Sequence, residues 1–260
     1  MHFELLNVTA TAPSAGASGA AVGTDSLVIK NSSQSGGVQI IAMWSTQQFA
    51  GFSQVAYPSG HDTTRGFRVG GAVGVNPCLL PFGHALEVTP QELLAVTLAG
   101  SIVIGDVEQL AMLVHYGNLP GVAMRTISPT ELNSRTHKRT TVEASIVSTA
   151  GPSYGTPVAI NAGSDLLIAN RDYAVLGATC RTAVHTMHMT SPDFSNVRIG
   201  VPGMLRYEFG SQYFVALSRA HGLPLIPVIN SGNKANVLIG VNTDENAGTF
   251  VTTWHLALLK

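Results

Sequence analysis

Short runs of β-forming apolar residues, separated by Gly, Pro, Asn and Ser, set the rhythm of this chain. That pattern predicts strands. In the first half the runs fall near 3–10, 26–30, 38–46, 52–57, 66–75, 84–88, 98–105 and 109–116. In the second half they fall near 142–149, 157–160, 165–169, 173–180, 182–189, 196–208, 225–230, 235–241 and 249–259. Alternation is clearest at the end, where Phe250, Thr252, Trp254, Leu256 and Leu258 would share one face of a strand. Helical signals are few. TPQELLAV (89–96) opens with a capping Thr and a Pro at the first helical position. SQYFVALSRAHG (211–222) has room for three turns with Gly222 as the stop, and TELNSR (130–135) for one.

The two halves also repeat each other. FELLNVTATAPSAGASGAAVGTDSLVIKN (3–31) and VEASIVSTAGPSYGTPVAINAGSDLLIAN (142–170) match without a gap at nine of 29 positions, at an offset of 139. Chance pairing in so Ala-, Gly-, Ser- and Val-rich a chain gives roughly two or three. The matches include Glu4/Glu143, Val8/Val147, Leu27/Leu166 and Ile29/Ile168. Further on, GFRVGG (66–71) pairs with NVRIGV (196–201) at an offset of 130, aligning Arg68 with Arg198. PFGHALEV (81–88) loosely resembles EFGSQYFV (208–215) at 127. A period of half the chain is too long for a solenoid unit and suits a duplicated domain.

The expected fold is therefore all-β: two tandem eight-stranded jelly-roll barrels or sandwiches with short helices. The first would span 1–119 and the second 141–260, joined by a connector at 120–140 that has no counterpart in the repeat. Pattern alone fits an immunoglobulin-like sandwich equally well. The length of each half and the late helix favour the jelly roll.

Composition adds one further point. Only 11% of the 260 residues are charged and 45% are hydrophobic, against a usual quarter charged or so. Such a chain folds, and it covers itself with Ser, Thr and Asn or hides its surface in a permanent assembly. A net charge of −1 gives no field to gather nucleic acid. Two cysteines, Cys78 and Cys180, sit at unrelated places in the repeat and read as free buried thiols. No targeting segment is expected, and the longest apolar run, 93–105, is too short to span a bilayer.

Candidate chemistry is sparse. GPSYG (151–155) fits the nucleophile-elbow pattern, but Pro157 blocks the helix that must follow, and APSAG (12–16) stands at the matching place. Ser14 and Ser153 thus read as parts of a repeated turn. His185 and His188 stand three apart on a strand, so they point to opposite faces. Cupins, which share a duplicated barrel, hold metal with an H-x-H pair that neither half contains, and a metal needs three or four convergent ligands. GFRVGGAVG (66–74) fits no phosphate-binding fingerprint. Asp244, Glu245 and Asn246 read as a solvated hairpin loop rather than a Ca²⁺ site. The one basic cluster is Arg135, His137, Lys138 and Arg139. It is either a solvated loop or a contact for an anionic surface: lipid headgroups, nucleic acid or an acidic neighbour. No catalytic residue, metal or cofactor is expected.

The repeat between APSAG and GPSYG, DSLVIKN and SDLLIAN, and FRVGG and VRIGV, with about 130 residues per copy, resembles the double jelly-roll major capsid proteins of icosahedral, often membrane-containing, double-stranded DNA viruses and phages. The resemblance implies a non-enzymatic virion protein whose homotrimers form pseudo-hexagonal capsomers that tile the shell. Its partners would be itself, neighbouring trimers, minor capsid or penton proteins and an underlying membrane, without specific nucleic-acid binding. The alternatives are a bicupin-like metal enzyme and a two-domain carbohydrate-binding or adhesin protein.

Overall fold

The structure is a computed structural model. It describes every residue except 1, 12–17, 21, 24–26, 31–36, 46–51, 61, 71–77, 80–84, 100–106, 118, 149–153, 164–165, 183, 204–206 and 244–246; at 11, 18–20, 22–23, 62–65, 69–70, 78–79 and 99 it describes the backbone alone. The chain is built mostly of antiparallel β-sheet and divides into two compact units, 2–120 and 121–260.

The first unit holds β1 (His2–Thr11), β2 (Ser18–Ala20), β3 (Val22–Gly23), β4 (Val38–Ser45), β5 (Phe52–Tyr57), β6 (Asp62–Gly70), β7 (Cys78–Leu79), β8 (Leu86–Val88), β9 (Ala95–Ala99) and β10 (Val107–Tyr116). One sheet runs β3-β1-β10-β4-β7, with β8 also on β4, and the other runs β2-β9-β5-β6. The second unit holds β11 (Thr126–Ile127), α1 (Pro129–Arg135), β12 (Thr136–Ser148), β13 (Val158–Ala159), β14 (Asp172–Cys180), β15 (Thr186–Thr190), β16 (Arg198–Pro202), α2 (Tyr207–Gly210), α3 (Tyr213–His221), β17 (Ile226–Asn230), β18 (Leu238–Asn242) and β19 (Gly248–Leu259). Its sheets run β12-β19-β14-β17-β11 and β13-β18-β15-β16.

Eight strands of each unit correspond in order; β3, β7 and β11 have no counterpart. In each unit the first long strand pairs with the last, β1 with β10 and β12 with β19. Registers agree too: Glu4 faces Val114 and Val8 faces Leu110, while Glu143 faces Thr253 and Val147 faces Thr249. Both strands of the pair are thus displaced by the same 139 residues. Each last strand then pairs with a neighbour carrying a one-residue irregularity, at Ile41 in β4 and at Leu176 in β14. Burial does not follow the repeat. Glu4 and Val8 are buried, whereas Glu143 and Val147 are exposed, and Leu167 rather than Ile168 takes the buried place of Ile29.

Alternation builds the core of the second unit. Phe250, Thr252, Trp254, Leu256 and Leu258 are all buried, as expected, and Met187, Met189, Ile199, Val201, Ile239 and Val241 are buried on the other sheet. The opposite face of β19 is apolar as well. Ala257 and Leu259 join Ala174, Leu176 and Val228 in a second cluster that Ile127, Leu132 and Val215 of β11, α1 and α3 cover.

Segment 120–140 is therefore not a connector. It supplies an edge strand, a helix and the start of β12. Arg125 fixes it to the second unit by pairing with Asp172 and Asp193, and its carbonyl accepts from the Val228 N–H. Ser128 caps α1 by accepting from the Glu131 N–H, with Pro129 behind it. The helix expected over 211–222 appears as α3, ended by Gly222.

The helix expected over 89–96 does not form. Pro90 and Gln91 make a turn in which Gln91 takes φ 65° and the Glu92 N–H donates to the Thr89 carbonyl, as Pro at the second and positive φ at the third turn position favour. The Glu92 carboxylate accepts from the Thr89 N–H and the Ser59 hydroxyl, and β9 follows. The likeness of 81–88 to 208–215 does not hold where both are described as regular elements: 86–88 is strand, whereas its counterpart 213–215 lies in α3. Among the described residues no helix is long and apolar enough to cross a membrane.

Candidate functional site

The basic residues singled out in the sequence part company in the structure. Arg135 ends α1, and its guanidinium sits 2.6 Å from the Glu131 carboxylate one turn earlier. Lys138 and Arg139 are both exposed on β12, opposite Leu258 and Ala257. Adjacent strand residues point to opposite faces, so these two cations do not share one patch. An exposed i,i+4 pair contributes little to stability, about 0.3–0.5 kcal/mol, but it satisfies Arg135.

Arg139 instead lines a groove of about 380 Å³ on the helix-bearing face of the sheet. One wall is β12, with Thr140 and Thr141, and Leu176 and Leu256 also line the groove. The other wall is Tyr207 of α2, followed by Ser211 and Gln212 at the α2–α3 junction. Tyr207 is 63% exposed. Its ring stands edge-on to His255, with centroids 5.4 Å apart. His255 Nε2 lies 3.3 Å from the Thr179 hydroxyl, and burial holds its pKa below the usual imidazole value. His255 is thus neutral at pH 7, which leaves Arg139 as the one cation among the described lining residues, which include no carboxylate. Sequence reasoning found Arg139 but missed Tyr207 and His255, because only the fold joins three distant segments.

No protein-family model and no curated protein matches the chain. Among solved structures the chain is similar to the PBSX exported protein XepA, at 12% identity over 98% of this chain and 86% of that one, with a TM-score of 0.29. A likeness at that score bears on neither fold nor function.

His188, Arg198, Arg68 and His185 each have a structural partner. His188 is buried, with Nε2 3.1 Å from the Tyr154 carbonyl, and the Tyr154 ring lies under the Arg198 guanidinium at 3.5 Å. Arg68, the repeat counterpart of Arg198, stacks likewise over Phe52 at 3.7 Å. Contacts of this kind contribute about 0.5–1 kcal/mol at exposed sites. His185 is also buried, with Nδ1 3.2 Å from the Thr186 hydroxyl. Among the described residues no three His, Cys, Asp or Glu gather as metal ligands. Cys180 is a free, partly buried thiol whose pKa burial raises. Ser14, Ser153, Asp244, Glu245, Asn246 and the Cys78 side chain lie outside the described residues.

The buried histidines give the protein a pH dependence. Burial holds His185 down at about 3 and His188 at about 4, with Arg198 adding to the shift at His188. An unfolded chain protonates both near pH 6.5. Below that value the unfolded state binds protons that the folded state refuses, so stability is full above about pH 6.5 and falls as pH drops toward 4. Urea midpoints should therefore be lower at pH 5 than at pH 7.5, a window in which ordinary carboxylates stay ionised. Replacing both histidines by Gln should shrink that drop; an unchanged drop would assign it to other groups.

Proposed function

We propose that the chain is a major capsid subunit made of two jelly rolls, assembling as homotrimers that tile an icosahedral shell. The observation that carries this reading is the strand order shared by the two units. In each, the first, eighth, third and sixth strands of an eight-strand path make one sheet (β1-β10-β4-β8 and β12-β19-β14-β17), and the second, seventh, fourth and fifth make the other (β2-β9-β5-β6 and β13-β18-β15-β16). That order is the one expected of a jelly roll, an architecture common in viral capsid domains, and it supports this reading. Duplication has a purpose in a shell: three chains carrying two similar units each present six similar edges to their neighbours.

Two further features support assembly. Charge is scarce, and Leu93, Val147, Leu166 and Ile168 are each more than half exposed, apolar surface that a neighbouring chain would cover. In this reading the protein works in the virion, against its own copies, minor capsid or penton proteins and, where present, a membrane.

Native mass spectrometry tests it directly. The expected species is a trimer of the 27.2 kDa chain that persists at micromolar concentration in mild salt. A stable monomer under those conditions would overturn the proposal. Electron microscopy of the source should show icosahedral particles in which this chain is among the most abundant proteins.

A further inference from the structure

The groove beside Arg139 has the composition of a ligand site. Its volume of about 380 Å³ falls at the small end of the range for ligand sites, roughly 300–1,000 Å³. Among the described residues, the Arg139 guanidinium, the Tyr207 hydroxyl, the Gln212 amide and the Thr141 hydroxyl have no hydrogen-bond or ion-pair partner. Four polar groups with unused donors and acceptors thus line one concavity.

The kinds of group indicate the ligand. Hydroxyls and an amide both donate and accept, which suits a partner rich in hydroxyls. An exposed tyrosine ring offers a flat apolar face for the C–H side of a sugar ring, with its hydroxyl at the rim. One guanidinium, with no carboxylate among the described lining residues, suits a single carboxylate, which it can hold with two parallel hydrogen bonds. A phosphate site would more usually add a nest of backbone N–H groups or further cations, and among the described residues the lining provides one arginine and a neutral histidine. We propose that this groove binds one acidic sugar residue, a hexuronic or sialic-type unit, with its carboxylate on Arg139 and its ring against Tyr207. The proposal concerns the second unit by itself and does not depend on shell assembly.

Saturation-transfer difference NMR on the intact protein tests it, with glucuronic acid, N-acetylneuraminic acid, glucose and inorganic phosphate as probes. One of the acidic sugars should receive saturation at millimolar concentration, with glucose binding about tenfold more weakly. Arg139→Ala and Tyr207→Ala should each weaken the acidic sugar about tenfold, and Arg139→Lys should restore it only in part, since a point charge replaces a fork. Arg181→Ala, which removes an exposed cation paired with Glu143 elsewhere on the sheet, should change nothing. Circular dichroism of each variant separates lost binding from lost folding. The proposal is overturned if neither acidic sugar binds, if glucose binds equally well, if phosphate alone displaces the sugar at equal concentration, or if folded Arg139→Ala binds as the parent does.

Discussion

Replacing Trp254 by alanine should destabilise the protein by about 3–5 kcal/mol, the range for deleting a large aromatic side chain from a core. Trp254 is fully buried. It stands on the central strand β19, between Val142 of β12 and Ala178 of β14. Ala178 and nearby Ala144 are small, so an indole vacated there would leave a cavity that its neighbours could not close. Trp254→Phe separates two effects. It loses part of the ring, but it also removes an indole N–H that is buried without a hydrogen-bond partner among the described residues. Relief of an unsatisfied donor contributes about 1–3 kcal/mol, comparable to the lost packing, so the phenylalanine variant should lie within about 1.5 kcal/mol of the parent. Urea unfolding followed by far-ultraviolet circular dichroism measures both. An alanine variant as stable as the phenylalanine variant would mean that the indole does not fill the core as described.

The alternation that marks Trp254 was plain in the sequence, and so were most long strands. Strand-like runs such as 249–259, 109–116 and 52–57 became β19, β10 and β5 with ends within two residues of those expected. The repeat read further than its identities suggest. At nine matches in 29 it already carried the 139-residue offset that the strand registers share. What it did not carry was burial, because strand pairing depends on the backbone, whereas exposure depends on what lies over the sheet. Glu4 is buried, accepting from Tyr116 and paired with Lys30; its counterpart Glu143 pairs with Arg181 at the surface.

Three local signals misled for identifiable reasons. Thr89–Pro90 starts a helix or a turn equally well, and the Glu92 carboxylate decided for the turn by binding Thr89 and Ser59, the latter 33 residues away. Segment 120–140 looked like a linker because it had no repeat partner, yet Arg125 is held by Asp172 and Asp193. The cluster of cations at 135–139 was close in sequence and divided in space by strand geometry. The groove was illegible for the converse reason: Arg139, Tyr207 and His255 meet only once β12, α2 and β19 are assembled.

The position of that groove rests on a contact between two glycines, and Gly177→Ala should lower the melting temperature by roughly 5–10 °C. Gly177 follows the irregularity in β14. A Cβ there would lie 2.1 Å from the Gly210 carbonyl oxygen and 2.8 Å from the Tyr213 nitrogen. The converse holds as well, since a Cβ on Gly210 would lie 2.7 Å from the Ala178 carbonyl oxygen. Both obstacles are backbone, so no side-chain rotation relieves them. The α2–α3 junction must lift off the sheet, at the cost of about 1–3 kcal/mol usual for overpacking. Gly248→Ala is the control, because its Cβ would meet Phe250 at an ordinary 3.6 Å. The same lift would carry Tyr207 away from His255, so the alanine variant should lose the tyrosine wall of the groove along with stability. Gly177→Ala and Gly210→Ala strain one contact, so the double variant should cost less than the two single losses combined. Scanning calorimetry of the three variants and the control checks this. Full additivity, or a Gly177→Ala variant that melts with the Gly248→Ala control, would show that the helices do not rest on β14 at this point.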